Sequence, residues 1–302
     1  MITRYAQRNL SWIDLVAPSA QEVRSLMTEF DLDPVIAQEL TSPSAKSKVE
    51  RRGHLLYLVL HFPALRAAHS RPEQEIDFVI GKDFLITTRY SNIDPLHSFA
   101  KAFEVNAVLG RGNAEHGGHL FVGMVRDLYH SLILECDRMH EHLDNIEDKI
   151  FSNREREMVT QISMVGRMIH DFRRTLEPHK LMLESLEPHG ERIFGQGFSY
   201  HVRTLIGEYE RVRHTLEHLQ EWLQELRETN NSLLNTKQNE IMKNLTIMAF
   251  MTVPLSLLVG ILAIDTKHNP IVGIEYDFWI ILGILGLAAL LFFVFFKHKK
   301  WL

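Results

Sequence analysis

Residues 245–262 read LTIMAFMTVPLSLLVGIL, and residues 278–296 read FWIILGILGLAALLFFVFF. Neither stretch holds a formally charged side chain. A helix of 18 or 19 residues rises about 27 to 29 Å, which spans most of a hydrocarbon core roughly 30 Å thick. Soluble domains rarely bury two such helices in succession. The sequence therefore predicts two transmembrane helices near the C-terminus, at about 245–262 and 278–296.

The charges that flank these two stretches predict their orientation. The basic run Lys297–Lys300 follows the second stretch directly, whereas the connecting loop carries Lys267 against three acidic residues. Basic residues collect on the cytosolic side of membrane proteins. With an even number of spans, both termini are expected in the cytosol. The N-terminus lacks an apolar signal segment, so we expect a multi-pass protein of the cell inner (plasma) membrane whose partner is the lipid bilayer.

The composition of the 302 residues excludes several classes of function. The net charge of −5 provides no overall basic field, so nucleic-acid binding is not expected. A single cysteine, Cys136, rules out an intrachain disulfide. The sequence contains no phosphate-binding loop, no dinucleotide fingerprint and no nucleophile elbow. An enzyme is therefore not expected, nor is a catalytic residue or an organic cofactor.

The remaining pattern predicts an α+β membrane protein in three parts. Residues 1–115 alternate strand-like and helix-like segments and are expected to form a cytosolic α/β domain. Residues 116–244 are predicted to be a helical bundle and stalk, with a break at Phe151–Asn153, and residues 245–302 a transmembrane hairpin. The glycine-rich segment Gly110–Gly118 is predicted to be a linker. From Phe198 the helical pattern meets no proline before Pro254, so one helix of about 95 Å should continue into the first span.

One face of the first span is small and polar. Helical spacing of three and four residues places seven residues on it: Asn239, Met242, Thr246, Ala249, Val253, Ser256 and Gly260. If several copies of the helix surround one axis, this face would line a pore. Alternatively, the small residues simply pack one helix against another. Spacing alone leaves both interpretations open.

Several short motifs, taken in order, resemble those of a known family. They are Trp12–Leu15 with the following Pro-Ser-x-x-Glu, Lys48–Glu50, Phe84–Thr87, Asn239–Thr246, Pro254–Leu255, Gly260–Ile261 and the closing Lys299–Leu302. Their order and spacing, with a long helix leading into two C-terminal spans, resemble the CorA-type magnesium transporter family. The resemblance implies a homopentamer whose first spans line a central pore and whose N-terminal domains form a cytosolic funnel that senses divalent cations.

The resemblance also implies particular pore residues. The family's pore-facing positions correspond here to Asn239, Met242, Leu245, Val253, Ser256 and Gly260. Five of these lie on the face derived from spacing, and Leu245 takes the place of Thr246. The transported or regulatory ion would be a divalent cation, magnesium or zinc.

The sequence departs from the family at the predicted outer cation site. Where members usually carry Gly-Met-Asn after the first span, this chain has Ala263, Ile264 and Asp265. A ring of Asp265 carboxylates would accept hydrogen bonds from a hydrated cation and attract it, which makes Asp265 the candidate metal residue. In the alternative reading, Asp265 only ends a helix in an exposed turn. The change leaves three functions open: a magnesium-type channel, a transporter of zinc or another cation with the same fold, and a non-conducting membrane-anchored sensor or scaffold.

Overall fold

The structure, a computed structural model, describes residues 1–64, 73–91, 93–109, 114–262 and 275–299. The chain forms two compact units, Met1–Arg227 and Glu228–Leu302. The predicted division into three parts, at residues 115 and 244, stays a prediction. The predicted fold class is confirmed by the mixed sheet, the long helix and the two apolar C-terminal helices.

A six-stranded sheet forms the centre of the first unit. Its strands are β1 Ile2–Gln7, β2 Leu10–Val16, β3 Lys48–Arg52, β4 Leu55–Pro63, β5 Glu73–Ile80 and β6 Phe84–Arg89. They lie in the order β1-β2-β6-β5-β4-β3. Among the described strands β2 pairs with β6 in parallel, and the other neighbours pair antiparallel. A parallel pair requires a long crossover, which the segment between β2 and β6 provides.

The two edge strands, β1 and β3, were not predicted. Their side chains are mostly exposed or half-buried, so neither strand shows the run of buried apolar residues that marks a central strand. The central strands β4 and β5 are almost entirely buried, which is why their apolar runs are visible in the sequence.

Eight helices are described. They are α1 Ala20–Phe30, α2 Pro34–Glu39, α3 Asp94–Val108, α4 Gly117–Phe151, α5 Glu155–Leu176, α6 His179–Phe194, α7 Gly197–Leu262 and α8 Asp277–His298. Helix α1 begins with a capping box in which Ser19 and Glu22 bond each other's backbone N–H. It then packs Val23 and Leu26 against the sheet. The predicted break between α4 and α5 is confirmed at residues 152–154, where Asn153 adopts a positive φ of 65°.

The predicted linker Gly110–Gly118 extends too far, because α4 already starts at Gly117. A side chain at Gly117 would collide with the backbone oxygens of Gly81 and Phe84. The backbone N–H of Gly117 also donates to the carbonyl oxygen of Lys82 at 2.8 Å. This glycine therefore permits α4 to begin directly against the β5–β6 turn, and flexibility is not its role.

A buried ion pair joins the two parallel strands. The Arg89 guanidinium donates to the Asp14 carboxylate at 2.9 Å, and the Thr87 hydroxyl donates to the same carboxylate at 2.8 Å. The indole N–H of Trp12 in turn donates to Thr87 at 3.0 Å. Buried polar groups need partners of this kind. Trp12 and Asp14, which carry part of the family resemblance, therefore have a structural role in the sheet.

A fully buried histidine connects the helices to the sheet. The His179 Nε2–H donates to the carbonyl oxygen of His61 at 2.8 Å, so its Nδ1 accepts from the Tyr129 hydroxyl at 2.8 Å. This pair of bonds requires the neutral ring. Burial lowers the pKa of His179 to about 4.

The low pKa of His179 predicts a loss of stability in acid. The unfolded chain takes up this proton near pH 6.5 and the folded chain only near pH 4. Stability should therefore fall as the pH drops through that window, by roughly 2 to 3 kcal/mol from this residue. The measurement is the apparent melting temperature of the detergent-solubilised protein at pH 7 and pH 4.5.

His179→Gln should reduce this pH dependence, because the glutamine amide also has an N–H that donates and an oxygen that accepts, but it does not titrate. The exposed His218, changed to Gln, serves as the control. If the melting temperatures of the parent and of His179→Gln fall by the same amount between pH 7 and pH 4.5, His179 is not the titrating group.

Candidate functional site

Two described helices are long and apolar enough to cross a membrane. They are the C-terminal part of α7, which ends at Leu262, and α8. In their most apolar windows only 6% and 0% of the residues are buried. The core helix of a soluble protein would bury such residues, whereas here Phe250, Leu257 and Leu287 are about 60% exposed. An apolar surface of this extent fits a lipid environment.

Helix α8 covers one face of the apolar part of α7. Ile247 is buried, and Pro254 and Leu258 are half-buried. Pro254 and Leu258 also line a cavity of about 880 Å³ together with Phe292 and Phe295 of α8. These α7 residues recur at helical spacing and so share one side of the helix.

The six residues predicted to line a pore lie on the other side of α7. All six are exposed: Asn239, Met242, Leu245, Val253, Ser256 and Gly260. Val253 is 65% exposed, and a side chain at Gly260 would meet no atom within 4 Å. The chain itself therefore leaves this face, which we call the small-residue face, without a partner among the described residues. Its role as a pore lining stays a prediction.

The hydroxyl groups of the first span are all bonded within α7. Thr246 donates to the carbonyl oxygen of Met242 at 2.7 Å, Thr252 to that of Met248 at 2.8 Å, and Ser256 to that of Thr252 at 2.9 Å. Such bonds let a hydroxyl exist in an apolar environment, so these residues alone do not require a water-filled path. Each hydroxyl oxygen retains lone pairs that can accept a bond from a water molecule.

The predicted outer cation site, Ala263, Ile264 and Asp265, lies outside the described residues. Within the part of the chain that the structure describes, no group of three or more His, Cys, Asp or Glu side chains is arranged to hold a metal ion. The described residues thus offer no site for a resident metal built from these ligands.

Sequence reasoning missed a set of arginines on α5 and α7. Arg167, Arg173 and Arg227 line a cavity of about 1100 Å³ between the two helices. The sequence indicates this set only through the basic residues concentrated between positions 167 and 174. Such a run more often marks a solvated helix face.

Comparison with known proteins identifies relatives along almost the whole chain. The family described as CorA-like Mg2+ transporter protein matches residues 7–299. The cobalt/magnesium transport protein CorA of Thermotoga maritima is 20% identical over 97% of this chain and 83% of its own length. The magnesium transport protein CorA of Campylobacter jejuni strain RM1221 is 22% identical over 98% of this chain and 92% of its own.

Solved structures share the fold. The complete CorA magnesium transporter of Methanocaldococcus jannaschii superimposes with a TM-score of 0.85 at 18% identity, covering 97% of this chain and 92% of that one. The ZntB cytoplasmic domain of Vibrio parahaemolyticus matches with a TM-score of 0.62 at 11% identity, over 75% of this chain and 88% of that one. Members of the matched family are transporters or channels, in agreement with the expectation that the chain is not an enzyme. With a family match that leaves out only the first six and last three residues, the chain belongs to the CorA-like Mg2+ transporter family.

Proposed function

We propose that this chain assembles into a homopentamer that passes divalent cations across the cell inner membrane. The observation that carries the proposal is the small-residue face: α8 covers the opposite side of α7, so Asn239 to Gly260 are free to face other subunits or a shared axis. Membership of the CorA-like family supports the same assignment.

The chemistry of the small-residue face suits a hydrated cation. The amide oxygen of Asn239 and the hydroxyl oxygen of Ser256 can accept hydrogen bonds from the water shell that Mg2+ gives up reluctantly. Between them Met242, Leu245 and Val253 would form apolar rings, which gate pores by excluding water. From Asn239 to Gly260 the helix rises about 31 Å, enough to cross the bilayer core.

The proposed topology places both termini in the cytosol. Lys297, His298 and Lys299 follow the apolar part of α8, and α8 begins with Asp277. This distribution supports a cytosolic C-terminus by the positive-inside rule. The sheet-containing unit before α7 would then also be cytosolic, where it would respond to regulatory divalent cations.

One sequence feature favours a second candidate function, transport of zinc or another cation. Asp265 supplies charged oxygens where the family carries a neutral asparagine, and charge attracts cations without discriminating strongly among them. A non-conducting sensor or scaffold is the third function that the replacement of the asparagine by Asp265 leaves open.

Uptake into liposomes tests these functions. Purified protein should carry a divalent cation down its gradient, and a competition series of Mg2+, Zn2+, Co2+ and monovalent ions ranks the first two candidates. If the protein is oligomeric by light scattering but carries no cation under any gradient, the transport proposal fails and the scaffold takes its place.

A further inference from the structure

A stripe of acidic side chains runs along the outer face of α4. Asp137, Glu141, Asp144 and Asp148 follow one another at spacings of four, three and four residues, and all four are exposed. This spacing places them on one side of the helix, over about 16 Å. The core residues of the same helix, among them Cys136 and Leu143, lie on the other side. We call these four residues the acidic stripe.

The fold of the single chain makes almost no use of the acidic stripe. Within the described ranges Asp137, Glu141 and Asp148 form no side-chain ion pair, and Asp144 contacts only His140, at 3.8 Å. The His140 ring also packs on Trp222 of α7 at 4.6 Å between ring centroids. His140 therefore marks the edge of the stripe that is nearest to α7.

An arginine-lined groove lies between α5 and α7. Its volume is about 1100 Å³, and Arg167, His170, Arg173 and Arg227 line it. Gly166 forms part of its wall, where a side chain would meet the Arg227 guanidinium at 3.4 Å. A second cavity of about 420 Å³, which Arg173 and Arg174 line, lies beside it. We call this surface the arginine groove.

More arginines than acids line the groove: five arginines (Arg167, Arg173, Arg174, Arg213 and Arg227) and three glutamates (Glu177, Glu217 and Glu221). Within the part of the chain that is described, Arg167, Arg173 and Arg227 form no ion pair. Two of these acids have partners: Glu217 binds His214 and Arg213, which also lines the groove, and Glu221 lies 3.7 Å from His218. The groove therefore offers positive charge to an external partner.

We propose that the arginine groove of one subunit binds the acidic stripe of a second copy of this chain. The five arginines of the groove outnumber its three glutamates, and the stripe presents four carboxylates. Arg pairs well with carboxylates at interfaces. The two surfaces differ, so the contact is head-to-tail, and a head-to-tail contact generates a ring when its rotation closes. The inference rests on the proposed homo-oligomer and names the surfaces that join its cytosolic parts.

Cross-linking between two differently tagged chains tests the contact. One chain carries Asp144→Cys, the other Arg173→Cys, and the co-assembled full-length protein is treated with a short bifunctional maleimide. The single native cysteine is buried, and burial raises its pKa to about 12, so it should not react. A covalent species that contains both tags is the expected product.

His142→Cys provides the matched control for Asp144→Cys. His142 is exposed on the same helix and lies at least about 100° around it from each residue of the stripe. Cross-linking that is absent from an oligomeric preparation, or equally strong from His142→Cys, would overturn the contact while leaving the oligomer in place. If the parent protein is instead monomeric by light scattering, the proposed function itself is contradicted.

Charge reversal provides an independent readout. The pair Glu141→Arg and Asp144→Arg should reduce the cross-link between other stripe and groove positions, such as Asp148→Cys with Arg227→Cys, and Arg167→Glu with Arg173→Glu should restore it. Like charges brought together cost several kcal/mol, which corresponds to an association weakened on the order of a hundredfold. A cross-link unchanged by reversal contradicts the proposal. So does binding of inorganic triphosphate to the arginines of the assembled protein, which would make the groove a small-anion site.

Discussion

Gly260→Leu is expected to reduce divalent-cation uptake by at least about tenfold, because leucines brought together at one level of a pore form an apolar constriction. The single subunit should tolerate the change. A side chain at Gly260 meets no atom within 4 Å, and the residue is exposed on α7. A loss of flux would therefore come from the assembled pore and not from misfolding of the chain. The measurement is uptake into liposomes at equal protein content.

Gly283 provides the matched control for this substitution. It lies in α8, is exposed, and a side chain there also meets no atom within 4 Å. Gly283→Leu should therefore keep the flux of the parent if α8 faces lipid. Equal losses from both variants would indicate a general effect on the spans. If Gly260→Leu carries the same flux as the parent, Gly260 does not line the pore. The assignment of the small-residue face as the pore lining is then weakened.

The membrane spans and the long helix were predictable because their signals are local. An uncharged stretch long enough to cross a bilayer can be recognised from the amino-acid sequence alone. The same is true of the absence of proline between Phe198 and Pro254. Helix α7 indeed runs from Gly197 to Leu262. The capping box at Ser19 was predictable for the same reason, since both partners lie within four residues.

Features that depend on distant packing were not predictable. Ile247 and Leu245 are both apolar and two residues apart, yet the first is buried and the second is 54% exposed. Spacing grouped the residues into faces, but only the position of α8 decides which face is covered. The role of Gly117 also depends on distant packing. Its backbone lies against the β5–β6 turn at Phe84, 33 residues earlier, and this close approach requires a glycine. The sequence suggested only a linker.

The largest effect on cation affinity is expected at Asp265, which follows the last residue of α7 by three positions. In a pentamer, five carboxylates about 5 Å from a divalent ion would attract it by on the order of 8 kcal/mol at the dielectric constant of water, before screening by salt. Even a fraction of this energy would enrich divalent ions strongly at the pore entrance. A neutral asparagine offers the oxygen without that attraction, so this chain should bind its ion more tightly there than a neutral ring would.

Asp265→Ala is therefore expected to raise the divalent-cation concentration needed for half-maximal uptake or block by at least about tenfold. Asp265→Asn should give an intermediate result, because its amide oxygen still accepts hydrogen bonds from the hydrated ion. Glu275→Gln, a change of an exposed acid in the same connecting region, serves as the control and should behave like the parent. The readout is uptake into liposomes over a series of Mg2+ and Zn2+ concentrations at fixed ionic strength, because screening alone would otherwise shift the curve. If Asp265→Ala follows the parent curve while Gly260→Leu blocks uptake, the protein conducts without a carboxylate ring, and Asp265 only ends the helix.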